Sequence, residues 1–116
     1  MGRIKVFDRI RTTKEFNAVY RKADKIWHTP WFVLFYKKST EYHVGFVASK
    51  KVGNAVHRNR AKRLLRAHFI SHIDQIKTGH YILVAKHPIL DNSYHKISKT
   101  FTDVLIKCKL LNTPSS

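Results

Sequence analysis

Lys50-Lys51-Val52-Gly53-Asn54-Ala55-Val56-His57-Arg58-Asn59-Arg60-Ala61-Lys62-Arg63-Leu64-Leu65-Arg66 carries seven cations, and no carboxylate occurs from Tyr42 to Ile73. A helical surface held by its own salt bridges would interleave Glu and Asp among these residues. Here the neutralising charge must come from outside, which points to a polyanion. Gly53 and Asn54 punctuate the chain, and from Ala55 the residues take on helical periodicity, predicting a helix to about Ile76. At roughly 100° per residue, Asn59, Arg60, Arg63 and Arg66 share one arc while Ala61, Leu65, Phe69 and Ile76 lie opposite. The cations therefore ride on a helix whose back is pinned to a core, a rigid face for phosphates rather than a solvated charge run.

Working outward, the whole chain has 23 Lys and Arg against 7 Asp and Glu, a formal charge of +16 on 116 residues. Such a charge destabilises a compact state by self-repulsion unless a partner neutralises it. Yet 43% hydrophobic and 12% aromatic residues suffice for a packed core, which excludes a disordered basic tail. The length predicts one domain over residues 1–116, with a flexible tail at about 112–116. No apolar run approaches the roughly 20 residues that cross a bilayer, and no secretory signal is expected. A single cysteine, Cys108, excludes an internal disulfide and fits a reducing, cytoplasmic setting.

Thr12 followed by Glu15 reads as a capping box that opens a helix to about Lys22, with Phe16, Val19 and Tyr20 on its inner face. Pro30 precedes Trp31-Phe32-Val33-Leu34-Phe35-Tyr36, a run of aromatic and β-branched residues expected to be a strand. Residues 37–41 are polar and read as a hairpin loop to a second strand, 42–49. There Val44, Phe46 and Ala48 share one face and His43, Gly45 and Val47 the other. Gly79 ends the basic helix region, and Tyr81-Ile82-Leu83-Val84-Ala85, apolar on both faces, predicts a central strand. After Pro88, Asp91 or Asn92 caps a last helix striped by Ile97, Phe101, Val104, Leu105 and Cys108. The basic segment around residues 3–11 adds a further strand or an arm. The order α-β-β-(β)-α-β-α predicts a single-domain α+β sandwich of three to four strands, in which the basic helix is a crossover between strands.

The seven carboxylates are scattered and form no acid/base pair. His68 and His72, four apart on one helix, lack the HExxH pattern and any Cys partner, so packing roles outweigh a metal site, and no metal site in the protein is expected. Cys108, in an apolar stripe, reads as a packed thiol. No Walker-type loop is present. Catalytic machinery is thus not expected in the protein itself. Phe16, Tyr20, Trp31, Phe35 and Tyr36 are dense for so basic a chain, and a strand with bulky groups on both faces buries them all only if both faces are covered. Aromatics left partly exposed beside cations can stack the bases of a single strand.

At this point the residues resemble a family. Val47-Ala48-Ser49-Lys50-Lys51-Val52-Gly53-Asn54-Ala55-Val56, then Arg58-Asn59-Arg60 and Lys62-Arg63, are similar to the signature of the bacterial ribonuclease P protein subunit. Glu15-Phe16 with Val19-Tyr20, Phe32-Val33-Leu34-Phe35 and Tyr81-Ile82-Leu83-Val84-Ala85 resemble its first helix and two of its strands. Departures are few: Tyr20 stands where the family often has Phe, Phe35 where Tyr occurs, and Lys86-His87-Pro88 has lost one cation.

The resemblance implies an accessory subunit of a ribozyme that removes the 5′ leader of precursor tRNA. Hydrolysis would be performed by the RNA subunit with bound magnesium ions, none held strongly by the protein. It implies catalytic-RNA binding through Lys50, Lys51, Asn54, Arg58, Asn59, Arg60, Lys62, Arg63 and Arg66. Leader binding would fall to Phe16, Tyr20, Phe35 and Lys86. The partners would be the ribonuclease P RNA and the precursor tRNA leader, without membrane or DNA. The crossover through the basic helix would be the uncommon left-handed kind. The alternative is a structural or ribosomal RNA-binding protein, which composition and length fit equally. A DNA-reading helix would call for a helix-turn-helix, which the pattern lacks.

Overall fold

The structure is a computed structural model and describes residues 8–111. The elements run β1 (Asp8–Arg9), α1 (Thr13–Lys22), β2 (Lys25–His28), β3 (Phe32–Lys37), β4 (Tyr42–Val47), α2 (Ala55–Ser71), β5 (Gly79–Ala85) and α3 (Tyr94–Lys107), with short 3-10 turns before and after α2 and before α3. The strands form one mixed sheet in the order β1-β4-β5-β3-β2. β1, β4 and β5 are parallel neighbours, whereas β3 runs antiparallel to both β5 and β2. The helix α2 is the crossover between the parallel pair β4 and β5, as its place in the sequence implies.

Each helix begins on a side-chain cap that supplies an acceptor for an otherwise unpaired backbone N–H. Thr12 Oγ1 accepts from the Glu15 amide at 3.1 Å, and Glu15 reaches back to the Thr12 hydroxyl, the capping box expected. Asn54 Oδ1 accepts from the His57 amide at 3.0 Å and starts α2. The residue before it, Gly53, has φ +142°, and a Cβ there would meet the His57 ring at 2.9 Å, so the turn into α2 requires glycine. Ser93 caps α3, in place of Asp91 or Asn92, because residues 87–91 form a 3-10 turn of their own.

Three further expectations are corrected. Residues 37–41 do not make a hairpin, because β5 lies between β3 and β4. The hairpin joins β2 to β3 instead, through a turn in which Thr29 Oγ1 accepts from the amides of Trp31 and Phe32 and donates to the Phe32 carbonyl. The basic helix ends at Ser71 rather than near Ile76, where Ile76 bridges to Leu111. The sheet has five strands: the basic N-terminal segment supplies β1, and Lys25-Ile26-Trp27-His28 supplies an unforeseen edge strand. The expected tail at 112–116 lies outside the described residues.

The two faces of the sheet are unequal. Phe32, Leu34, Val44, Tyr81 and Leu83 project to one side and pack under α2 and α3 in a cluster of 21 buried residues that includes Leu65, Phe69, Phe101 and Leu105. The other side carries α1 over a cluster with only 3 buried members, Ile10, Val19 and Ile82. Stability therefore resides mainly on the α2–α3 side, each fully buried large side chain contributing roughly 1.5–3 kcal/mol. The α1 side is left with half-buried groups around its small core.

Candidate nucleic-acid interface

Alternation along β3, β4 and β5 sends Phe35, Val47 and Val84 to the α1 side, where Phe16 and Tyr20 descend from α1 to meet them. The Phe16 and Tyr20 rings lie 6.4 Å apart and near parallel, and Tyr20 stands edge-on to Phe35 at 4.8 Å. All three are half-buried. Gly45 is what allows this approach: a Cβ at that position would lie 2.7 Å from Phe16 Cε1. Partial burial pushes the Tyr20 hydroxyl pKa above its ordinary value, so the ring is a neutral phenol at physiological pH. Lys86 follows β5 in extended conformation, which continues the alternation of Ile82 and Val84 and puts it on the same side. The structure thus gathers Phe16, Tyr20, Phe35 and Lys86 on one face.

A cleft of about 850 Å³ opens where α1, the β1–β4 edge and α2 converge. Phe16 and Gly45 form part of its wall. Arg9 and Arg11 enter from the N-terminal segment, and Asn59, Lys62, Arg63 and Arg66 from α2. The spacing 59, 62, 63 and 66 is one helical face, opposite the buried Ala61, Leu65 and Phe69. One side of α2 is therefore held in the core while the other presents cations to an aromatic ring across a groove. Tyr20 and Phe35 lie beside Phe16 but do not line this cleft.

The remaining cations of the segment take different positions. Lys50 and Lys51 are exposed on the 3-10 turn ahead of α2, held by Ser49, whose hydroxyl accepts from the Lys51 amide. No carboxylate stands in the first turn of α2, so the positive end of the helix dipole adds to Lys50 and Lys51 rather than being neutralised. Arg60 is exposed outside the cleft lining. Arg58 is half-buried and donates from Nη1 to the Gly53 carbonyl at 3.3 Å, and Asn54 spends its side-chain oxygen on the helix cap. These two brace the turn as well as belonging to the basic stretch.

Sequence reasoning missed Arg9 and Arg11 as site residues. The signal was present, since the N-terminal segment is basic, but only the pairing of β1 with β4 brings it to the mouth of the cleft. It also read the basic helix and the aromatic face as separate sites, whereas Phe16 of that face and the cations of α2 line one cleft. Among the candidates set aside as packing groups, His72 hydrogen-bonds the Thr102 hydroxyl and the His68 carbonyl. Cys108 is buried, and burial raises its thiol pKa.

Comparisons with known proteins identify the family and the fold. The sequence pattern of the Ribonuclease P family matches residues 4–109. A ribonuclease P protein component from Nitratiruptor is 45% identical over 100 residues, covering 86% of this chain and 91% of its own length. One from Staphylococcus carnosus is 35% identical over 106 residues, covering 90% and 92%. The solved RNase P protein of Staphylococcus aureus superposes with a TM-score of 0.78 at 30% identity, over 93% of this chain and all of that one. With its pattern matched over nearly the full length and its fold shared, the chain belongs to the bacterial ribonuclease P protein family.

Proposed function

We propose that this chain is the protein subunit of a ribonuclease P holoenzyme, binding the catalytic RNA and the single-stranded 5′ leader of precursor tRNA so that the leader is removed. The observation that carries this reading is the cleft in which Phe16, Arg9 and Arg11 face Asn59, Lys62, Arg63 and Arg66. A single strand needs both a flat apolar surface for bases and cations for the backbone, and the cleft offers the two together. Lys50, Lys51, Arg58 and Arg60 lie outside the cleft lining and suit phosphates of a structured RNA. Asn54 and Asn59 would add hydrogen bonds to that surface.

In this reading the hydrolysis belongs to the RNA. Magnesium ions bound there would activate water and stabilise developing charge on the phosphodiester. The protein's part is to neutralise phosphate repulsion and hold the leader, which lowers the magnesium concentration that the reaction needs. Such work on tRNA precursors belongs in the cytoplasm. Among the described residues no helix is long and apolar enough to cross a membrane.

The test is reconstitution. Purified protein mixed with ribonuclease P RNA and precursor tRNA at low magnesium should stimulate leader removal, and RNA-free protein should cleave nothing. Absence of stimulation would favour the structural RNA-binding alternative, and magnesium-dependent cleavage by RNA-free protein would refute the division of labour.

A further inference from the structure

At the opposite end of the α1 face from Lys86, adjacent strands bring together residues that lie far apart in sequence. His43 on β4 and His80 on β5 are direct partners in the parallel register, and their rings stack at 4.8 Å and 15°. Glu41, just ahead of β4, approaches His80 Nε2 through Oε1 at 3.2 Å. One ligand atom from each of Glu41, His43 and His80 lies within 4.8 Å of the other two. Around His43 itself, Glu15 Oε2 meets Nδ1 at 3.2 Å and Asp8 Oδ2 stands 3.9 Å from Nε2.

We propose that Glu41, His43 and His80 form a binding site for a borderline divalent transition ion of the zinc class. Zinc with nitrogen and oxygen ligands at about 2.0–2.2 Å in tetrahedral geometry separates its ligand atoms by roughly 3.3 Å. The Glu41–His80 distance already matches that edge. Closing the cluster on one ion requires the two imidazoles to turn out of their stack and Glu41, whose side chain is 63% exposed, to swing toward His43. Glu15 engages Nδ1 of His43 and so leaves Nε2 as the ligating atom. A carboxylate on the outer nitrogen of a histidine is the support that metal-bound imidazoles ordinarily have. A water takes the fourth position.

Charge favours the same assignment. Three of the chain's seven carboxylates, Asp8, Glu15 and Glu41, converge on this one patch of a protein with formal charge +16. Lys37, the register partner of His80 on β3, with Arg9 and Lys14 beside Asp8 and Glu15 in the chain, supplies opposing charge. Two imidazoles select zinc, cobalt or nickel over magnesium, a hard ion that demands oxygen donors and octahedral geometry. The ion expected here is thus distinct from the magnesium of the catalytic RNA. No local motif announces the site, since Glu41 and His43 sit at the start of β4 while His80 comes 37 residues after His43.

The consequence is mechanical. Glu15 belongs to the first turn of α1, and its neighbour Phe16 lines the cleft. An ion held by β4, β5 and the preceding loop, and supported by Glu15, ties the first turn of α1 to the sheet.

The experiment uses the full-length protein without RNA, titrated with zinc by calorimetry and with cobalt by visible absorption, in excess magnesium. Expected are one equivalent of each ion bound, a cobalt ligand-field band, and a rise in Tm on zinc addition. His43→Ala and His80→Ala should each abolish the band, with folding verified by circular dichroism. Glu15→Gln, which keeps the capping box but not the charge, should weaken zinc binding about tenfold. His57→Ala and His87→Ala, outside the cluster, should leave binding unchanged. Absence of saturable binding, displacement by magnesium, or undiminished affinity in the doubly substituted His43→Ala, His80→Ala protein would each overturn the proposal.

Discussion

His68 shows how one residue can set the acid limit of the fold. It lies on α2 with no exposed surface, its ring stacked at 4.0 Å on Tyr94, and neither ring nitrogen has a hydrogen-bond partner among the described residues. Burial, reinforced by the charge of His72, pushes its pKa down to about 4 from an ordinary 6.5. The folded protein therefore holds His68 neutral, while the unfolded chain takes up a proton more readily. Its contribution is complete above pH 6.5 and is lost as pH falls from 6.5 toward 4, by at most roughly 3 kcal/mol. His68→Leu removes both the proton uptake and two unsatisfied polar atoms. We expect it to equal or exceed the wild type in urea unfolding at pH 7, and to unfold with a markedly flatter pH dependence between 4 and 6.5. Equal acid sensitivity in the two proteins would assign the acid limit to other groups. From sequence, His68 was legible as a core or boundary residue because it flanks the stripe Ala61, Leu65 and Phe69; its missing partners were not, since they depend on what α3 places above it.

At the scale of elements, α2 was readable because its two faces differ so sharply in chemistry: Ala61, Leu65 and Phe69 against Asn59, Arg63 and Arg66. β3 and β5 were readable for the opposite reason, being apolar on both faces. β2 was not, because all four of its residues are exposed and none alternates with a core. Nor could sequence show that β5 inserts between β3 and β4, since a polar loop of the right length mimics a hairpin while the deciding contact is nonlocal. The division of roles along α2 yields a prediction in salt. Arg60→Ala, Arg63→Ala and Arg66→Ala should each weaken binding to the catalytic RNA and flatten log K against log salt by about 0.7 to 0.9, one phosphate contact apiece. Arg58→Ala should do the same and also lower Tm, since it loses the hydrogen bond to Gly53, worth about 1 kcal/mol. Asn59→Ala should lose affinity with little change of slope, because a neutral amide releases no counterion. Filter binding over a salt series measures all five. Wild-type slopes throughout the arginine variants would mean that this face of α2 looks into solvent in the complex.

For the molecule as a whole, the decisive feature is asymmetry: one sheet face consolidates the fold under α2 and α3, and the other keeps aromatics half-buried beside a cationic cleft. The aromatic half of that arrangement was foreseeable from the bulk on both faces of β3, and the cationic half from α2. That the two halves meet at Phe16 depends on the β1–β4 pairing and on Gly45, which no periodicity reveals. If Phe16, Tyr20 and Phe35 hold the leader, they must distinguish precursor from mature tRNA, because only the precursor carries a single strand to stack. Each stacked base contributes roughly 1 to 3 kcal/mol, which is fivefold to more than a hundredfold in affinity. Phe16→Ala and Tyr20→Ala should therefore weaken precursor binding by the reconstituted holoenzyme within that range and leave mature tRNA binding nearly unchanged. Neither ring is fully buried, so the loss of stability should fall below the roughly 3–5 kcal/mol typical of a core phenylalanine, and Tm should confirm a folded protein. Equal weakening toward both tRNAs, or unfolding of the variants, would make these rings part of the small α1 core and move the leader contact to the arginines of the cleft.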